Sequence, residues 1–152
     1  TQQRSSAASD VYKRQVSLWS LRGSGSSHFI LVVYENYEMM EKGRAIFSSC
    51  KDSAYMIKSF QDNTDTDRSW NWISENLVAA RAWTNNTAFA KYNFNIEPGH
   101  ESDYMNSWKK FMSSQLNTFD GSFGLNRIAY GNRYVSHMVY LGADSMDKLD
   151  RD

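Results

Sequence analysis

The chain has 152 residues, with 17 Lys+Arg against 17 Asp+Glu, 41% hydrophobic residues and 14% aromatic ones. That is the length of one ordinary domain with a packed core, and the apolar content lies well above the disordered range. Zero formal charge argues against a general nucleic-acid or acidic-membrane binder, a lone Cys50 excludes an internal disulfide framework and a cysteine-built zinc site, and no apolar run approaches the ~18 residues that span a bilayer.

Residues 1–15, TQQRSSAASDVYKRQ, are polar and without periodicity. The run SSAASDVYKRQ resembles translated adapter sequence at the ends of environmental shotgun assemblies, so 1–15 is read as a non-native or disordered tail and set aside. A strand is expected over 16–21, then a Gly-Ser hairpin loop, then a buried strand rich in β-branched residues over 28–34. Asn36 can cap a helix whose first turn holds Glu38 and Glu41. Met40, Phe47, Cys50, Ala54 and Ile57 give that helical region one apolar face, with Gly43 and 50–53 as the places where it would break. A polar loop over 61–67 and a turn or short helix over 69–73 lead to a strand over 77–83.

The run 88–96 alternates cleanly. Ala90, Tyr92, Phe94 and Ile96 fall on one face, and Lys91, Asn93 and Asn95 on the other. Pro98 and Gly99 end it. A helix over 101–116 carries Tyr104, Met105, Trp108, Phe111, Met112 and Leu116 in one stripe. Loop 119–124, strand 125–130, a Gly131-Asn132 turn, strand 136–142 and a helix start at 147 complete the chain, which breaks off where that last helix begins.

Two segments share a pattern. His28-Phe-Ile-Leu-Val-Val-Tyr and His137-Met-Val-Tyr-Leu-Gly-Ala each follow a Ser, each come second in a predicted hairpin, and each run into a capped helix with an acidic first turn. The element order is therefore β-β-α-β followed by β-α-β-β and the start of a helix. Two βαββαβ units in tandem, trimmed at both ends, would give this order. The expected domains are 16–86, the C-terminal part of a first ferredoxin-like repeat, and 87–152, the N-terminal part of a second.

The strand ending in Ile96-Glu97-Pro98-Gly99-His100-Glu101, followed by Tyr104 and Trp108, resembles the opening of the dimeric α+β barrel proteins. The stretch from Ser136 to Asp147 is similar to the third strand and second helix start of the same families, among them NIPSNAP-like and antibiotic-biosynthesis-monooxygenase-like groups. The resemblance implies an α+β fold of tandem ferredoxin-like repeats closed into a barrel, as an intramolecular pseudo-dimer or a homodimer. It implies no single activity. The Asn, Trp and His constellation of the haem-degrading members has no match here.

Function is read from the barrel interior. Alternation places Asn93 and Asn95 there, with Arg81 and Trp83 on one face of their strand and Arg127 on a face with Leu125 and Ala129. A few polar groups among aromatic walls suit a small, partly apolar ligand, and Arg81 or Arg127 could neutralise a carboxylate or enolate. The first alternative is a cofactor-independent monooxygenase or isomerase with His28 or His137 as base. The second is a purely structural association domain. No metal site and no cofactor is expected, since three histidines without clustered carboxylates are a weak signal. Cys50 reads as a core residue, Gly23-Ser-Gly lacks the lysine and context of a phosphate loop, and Asp62, Asp65 and Asp67 lack the glycine and glutamate of a calcium loop. The compartment is left open.

Overall fold

The structure is a computed structural model. It describes residues 15–22, 25–132 and 134–149, so residues 1–14 of the polar tail and part of the first hairpin loop lie outside the described residues, while Gln15, expected in the tail, opens the first strand. Within them the chain is α+β, with two antiparallel sheets and four α-helices, and it divides into two compact units at Ser69/Trp70.

The first unit holds β1 (Gln15–Ser20), β2 (His28–Val33), α1 (Tyr37–Ser49) and α2 (Ser53–Asn63). β1 and β2 pair antiparallel, from Gln15 opposite Val33 to Ser20 opposite His28. Asn36 caps α1, its Oδ1 accepting from the Met39 N–H at 2.9 Å, and Lys42 binds Glu38 one turn away at 2.6 Å. The helical region breaks at Cys50–Asp52. Gly43 leaves α1 unbroken and is buried within it. Two expectations are corrected here. Cys50 is exposed, because it lies past the end of α1. β2 is only half-buried, and on one face, where Phe29 stacks on Trp19, while Ile30 and Val32 on the other face are exposed.

The second unit holds β3 (Ile73–Ala80), β4 (Ala88–Phe94), α3 (Glu101–Gln115), β5 (Ser122–Tyr130), β6 (His137–Ala143) and α4 (Met146–Leu149). Its sheet order is β3-β5-β6-β4, with every neighbouring pair antiparallel. β4 and β5 are thus parallel to each other, joined through α3, with β6 inserted between them.

Register separates the two faces of this sheet. Leu125 lies opposite Val139 and Val78, Phe123 opposite Leu141 and Ala80, and Tyr92 opposite Val139. This is the face that α3 covers: Phe94 meets Tyr104 with ring centroids 5.2 Å apart, and Phe123 and Leu125 are fully buried. At ~25 cal/mol per Å2 of apolar surface, these side chains are the main source of the unit's stability. The other face carries Phe89, Lys91, Asn93, Ser122, Asn126, Met138 and Tyr140.

β3 starts four residues earlier than the sequence suggests, and β5 three. At β3, Ser74-Glu75-Asn76 masks the strand, and a register shift between Asn76 and Val78 breaks its alternation. At β5, the glycines read as loop residues. A Cβ on Gly124 would come within 2.5 Å of the Tyr140 ring, so the strand uses glycine there for clearance.

Candidate functional site

Two groups of polar side chains stand on opposite faces of the second sheet. On the α3 face, His137 is buried. Its Nδ1 is 2.8 Å from the Ser136 Oγ, and its Nε2 is 3.2 Å from Glu101 Oε1 at the first position of α3. Arg127, opposite His137 in the ladder, binds Glu75 Oε2 at 2.5 Å and Glu101 Oε1 at 3.4 Å. The Glu75 carboxylate first, then Glu101, raises the Arg127 pKa above its ordinary value. The Ser136 Oγ also accepts from the Ile96 N–H at 2.9 Å. This network brings His137 and Arg127 together. Both ring nitrogens of His137 are engaged, however, and the network ties the start of α3 to β3, β5 and β6. It is a fastening for the helix.

Beside it, α3 and the sheet flank a groove of about 630 Å3, walled by Tyr92, Phe94, Trp108, Phe111 and Leu149. No charged side chain lines it. Its one orphan polar atom is the Trp108 indole Nε1–H. It is a cleft in the apolar packing layer.

The opposite face has the other character. Lys91 stands directly across from Tyr140 and Asn93 across from Met138, with Asn126 beyond Met138 and Ser122 beyond Gly142. Trp83 reaches the same face, its ring edge-on to Phe89 at 6.3 Å, and Phe89 in turn lies 6.3 Å from Tyr140. Burial lowers the Lys91 ammonium pKa from 10.5 to about 8 and raises that of the Tyr140 phenol. Both shifts disfavour charge, the mark of a poorly hydrated environment. The Ser122 Oγ and the Asn126 Oδ1 are buried there without a hydrogen-bond partner. Leaving such groups unpaired costs about 1–3 kcal/mol each, so the face that holds two of them beside a desolvated amine is the candidate site.

The sequence-predicted residues divide accordingly. Trp83 and Asn93 belong to this face, although Asn93 is exposed and Trp83 sits in a 3-10 turn (Trp83–Asn85) after the strand. Arg81 does not share a strand face with Trp83, because β3 ends at Ala80 and Arg81 turns the chain at φ 60°. Its guanidinium donates to the carbonyls of Phe119 and of Leu116 (2.5 Å), beyond the end of α3. Asn95 also leaves the site, its Nδ2 donating to the Tyr134 carbonyl at 2.8 Å. Arg127 and His137 lie on the α3 face. His28, in the first unit, is exposed beside Ser27. Lys91, Tyr140, Ser122 and Asn126 were missed. The signal for Lys91 was present, since it alternates in step with Asn93.

Arg81→Ala is expected to lower stability by about 1–2 kcal/mol in urea unfolding, since the side chain holds carbonyls that the helix end leaves open. Arg81→Gly should cost less than Arg81→Ala, because glycine accepts the positive φ.

The chain matches no protein-family model, no curated protein and no solved structure. Among the described residues no group of three or more His, Cys, Asp or Glu side chains could hold a metal ion, and no helix is long and apolar enough to cross a membrane.

Proposed function

We propose that the second unit is part of a ferredoxin-like repeat in a tandem α+β barrel, and that its sheet face opposite α3 binds a small, partly apolar acid. The β-α-β crossover with β6 slotted between β4 and β5 supports the first part: it is the split βαβ of that fold. β3, the closing strand of the first repeat in this reading, pairs on the outer edge of β5 and so extends the second sheet.

The ligand reading rests on one observation: two buried polar atoms without partners, Ser122 Oγ and Asn126 Oδ1, on the face that desolvates Lys91. A carboxylate placed over Lys91 neutralises the ammonium where water does so poorly. Ser122 can donate to the guest, Asn126 can accept from it, and Phe89, Tyr140 and Trp83 supply apolar wall. Lys91 therefore takes the charge-neutralising role that Arg81 and Arg127 were expected to play. The proposed activity is binding.

Titration of the protein with aromatic and long-chain carboxylic acids, followed by tryptophan fluorescence, tests this directly. Saturable binding is expected at pH 7, with affinity falling as pH rises through 8 and Lys91 loses its proton. Flat titrations across both classes of acid overturn the proposal.

A further inference from the structure

The first unit has apolar residues but almost no core. Among its described residues only Ser17 and Gly43 are buried, and the buried hydrophobic side chains all belong to the second unit. On its hairpin, Val16, Leu18, Ile30 and Val32 are 38, 49, 50 and 38% exposed. A two-stranded ribbon with a bare apolar face is marginal in water by itself.

The β5–β6 hairpin indicates what that face accepts. The two hairpins agree in register. Ser20 pairs with His28, and Arg127 with His137. One step toward the turn, the Leu21 N–H donates to the Ser27 carbonyl, and the Ile128 N–H to the Ser136 carbonyl, both at 2.7 Å. Each histidine Nδ1 lies beside the hydroxyl of the preceding serine, at 3.0 Å for His28 and 2.8 Å for His137. Counting back from these pairs, Leu18 and Ile30 stand where Leu125 and Val139 stand, and Val16 and Val32 where Phe123 and Leu141 stand. The positions bare in one hairpin are those α3 covers in the other, where Leu125 is 0% and Val139 5% exposed. His28 stands where His137 meets the Glu101 carboxylate.

We infer that the exposed face of β1–β2 is the docking surface for an amphipathic α-helix of a partner polypeptide, laid across the hairpin as α3 lies across β5–β6, with an acidic residue in its first turn against His28. The apolar stripe of that helix covers Leu18 and Ile30, and its carboxylate fixes the register. This docking does not depend on the acid-binding reading above.

The probe is a synthetic peptide of residues 97–119 of this sequence, an amphipathic helix with Glu101 at its start, titrated into the full 15N-labelled chain. Saturable amide shifts are expected at residues 16, 18, 28, 30 and 32. Binding to the Ile30→Lys chain should be at least tenfold weaker, and Leu18→Asn serves as a second variant should Ile30→Lys disturb the hairpin. Absence of shifts there at millimolar peptide, or shifts confined to the second unit, overturns the inference. Equal affinity for a Glu101→Gln peptide removes the His28 contact and the register with it. Self-association without peptide that Ile30→Lys abolishes puts a second copy on that face instead, and also overturns it.

Discussion

Lys91→Met is expected to yield a protein more stable than the parent at pH 7 that has lost most of its affinity for small acids. The two effects have one origin. Burial alone accounts for the fall of the Lys91 pKa from 10.5 to about 8, so the charged side chain opposes folding at neutral pH. A lysine whose pKa is lowered on folding binds its proton more weakly in the native state than in the unfolded one. Stability therefore rises with pH from about 8 toward 10.5, where the unfolded chain still holds the proton and the folded chain has lost it. Each pKa unit is worth ~1.4 kcal/mol, so the fall from 10.5 to about 8 sets the gain from removing the charge at about 3 kcal/mol at pH 7 and progressively less above pH 8. Urea unfolding at pH 7 and pH 10, for parent and variant, measures the stability part. Acid binding by fluorescence measures the rest, with an expected loss of at least tenfold. A Lys91→Met protein that is less stable at pH 7 would mean that the contacts of the side chain outweigh the cost of burying its charge. Unchanged acid affinity would remove Lys91 from the site.

The other large expected effect lies beneath α3. Leu125 is 0% exposed, and Leu125→Ala should cost about 3–4 kcal/mol in urea unfolding, the range for deleting a fully enclosed leucine. Leu18 occupies the matching place in the first hairpin at 49% exposure, so Leu18→Ala in the isolated chain should cost under about 1 kcal/mol. The chemistry of the two substitutions is identical, but Leu125 lies under α3 with a strand on either side, whereas Leu18 has, among the described residues, neither a covering helix nor a second neighbouring strand. If Leu18→Ala costs as much as Leu125→Ala, the Leu18 face is already covered, and the inferred docking helix has no place to bind.

Much of the architecture was legible in the chain. The alternation of Ala88 to Ile96 separated the two sheet faces because each strand residue must point away from its neighbour, and β4 obeys that rule throughout. The stripe from Tyr104 to Leu116 marked the covering helix, and Asn36 marked the start of α1. The site was half legible. Asn93 was singled out as an inward polar residue, whereas Lys91 two places earlier was passed over, since lysine on a strand ordinarily marks a solvated face. Ser122 was hidden in a glycine-containing stretch that reads as loop, and only the approach of Tyr140 to Gly124 shows why glycine is needed inside that strand. Arg81 misled because its neighbours are apolar, while the chain turns at that residue. Arg127 and His137 are brought together by the Glu101 carboxylate, 26 and 36 residues away in sequence, which no local pattern connects to them.

β4 forms one rim of the second sheet, and its seven residues, AFAKYNF, contain a single charge and no proline. A run of that kind with an unpaired ladder edge is a template for intermolecular strand addition, and a lone lysine in it acts as a gatekeeper. Lys91 is the residue of β4 that fits this role. The Met variant should form thioflavin-positive aggregates faster than the parent at equal concentration, whatever it gains in monomer stability, and Lys91→Gln should fall between the two.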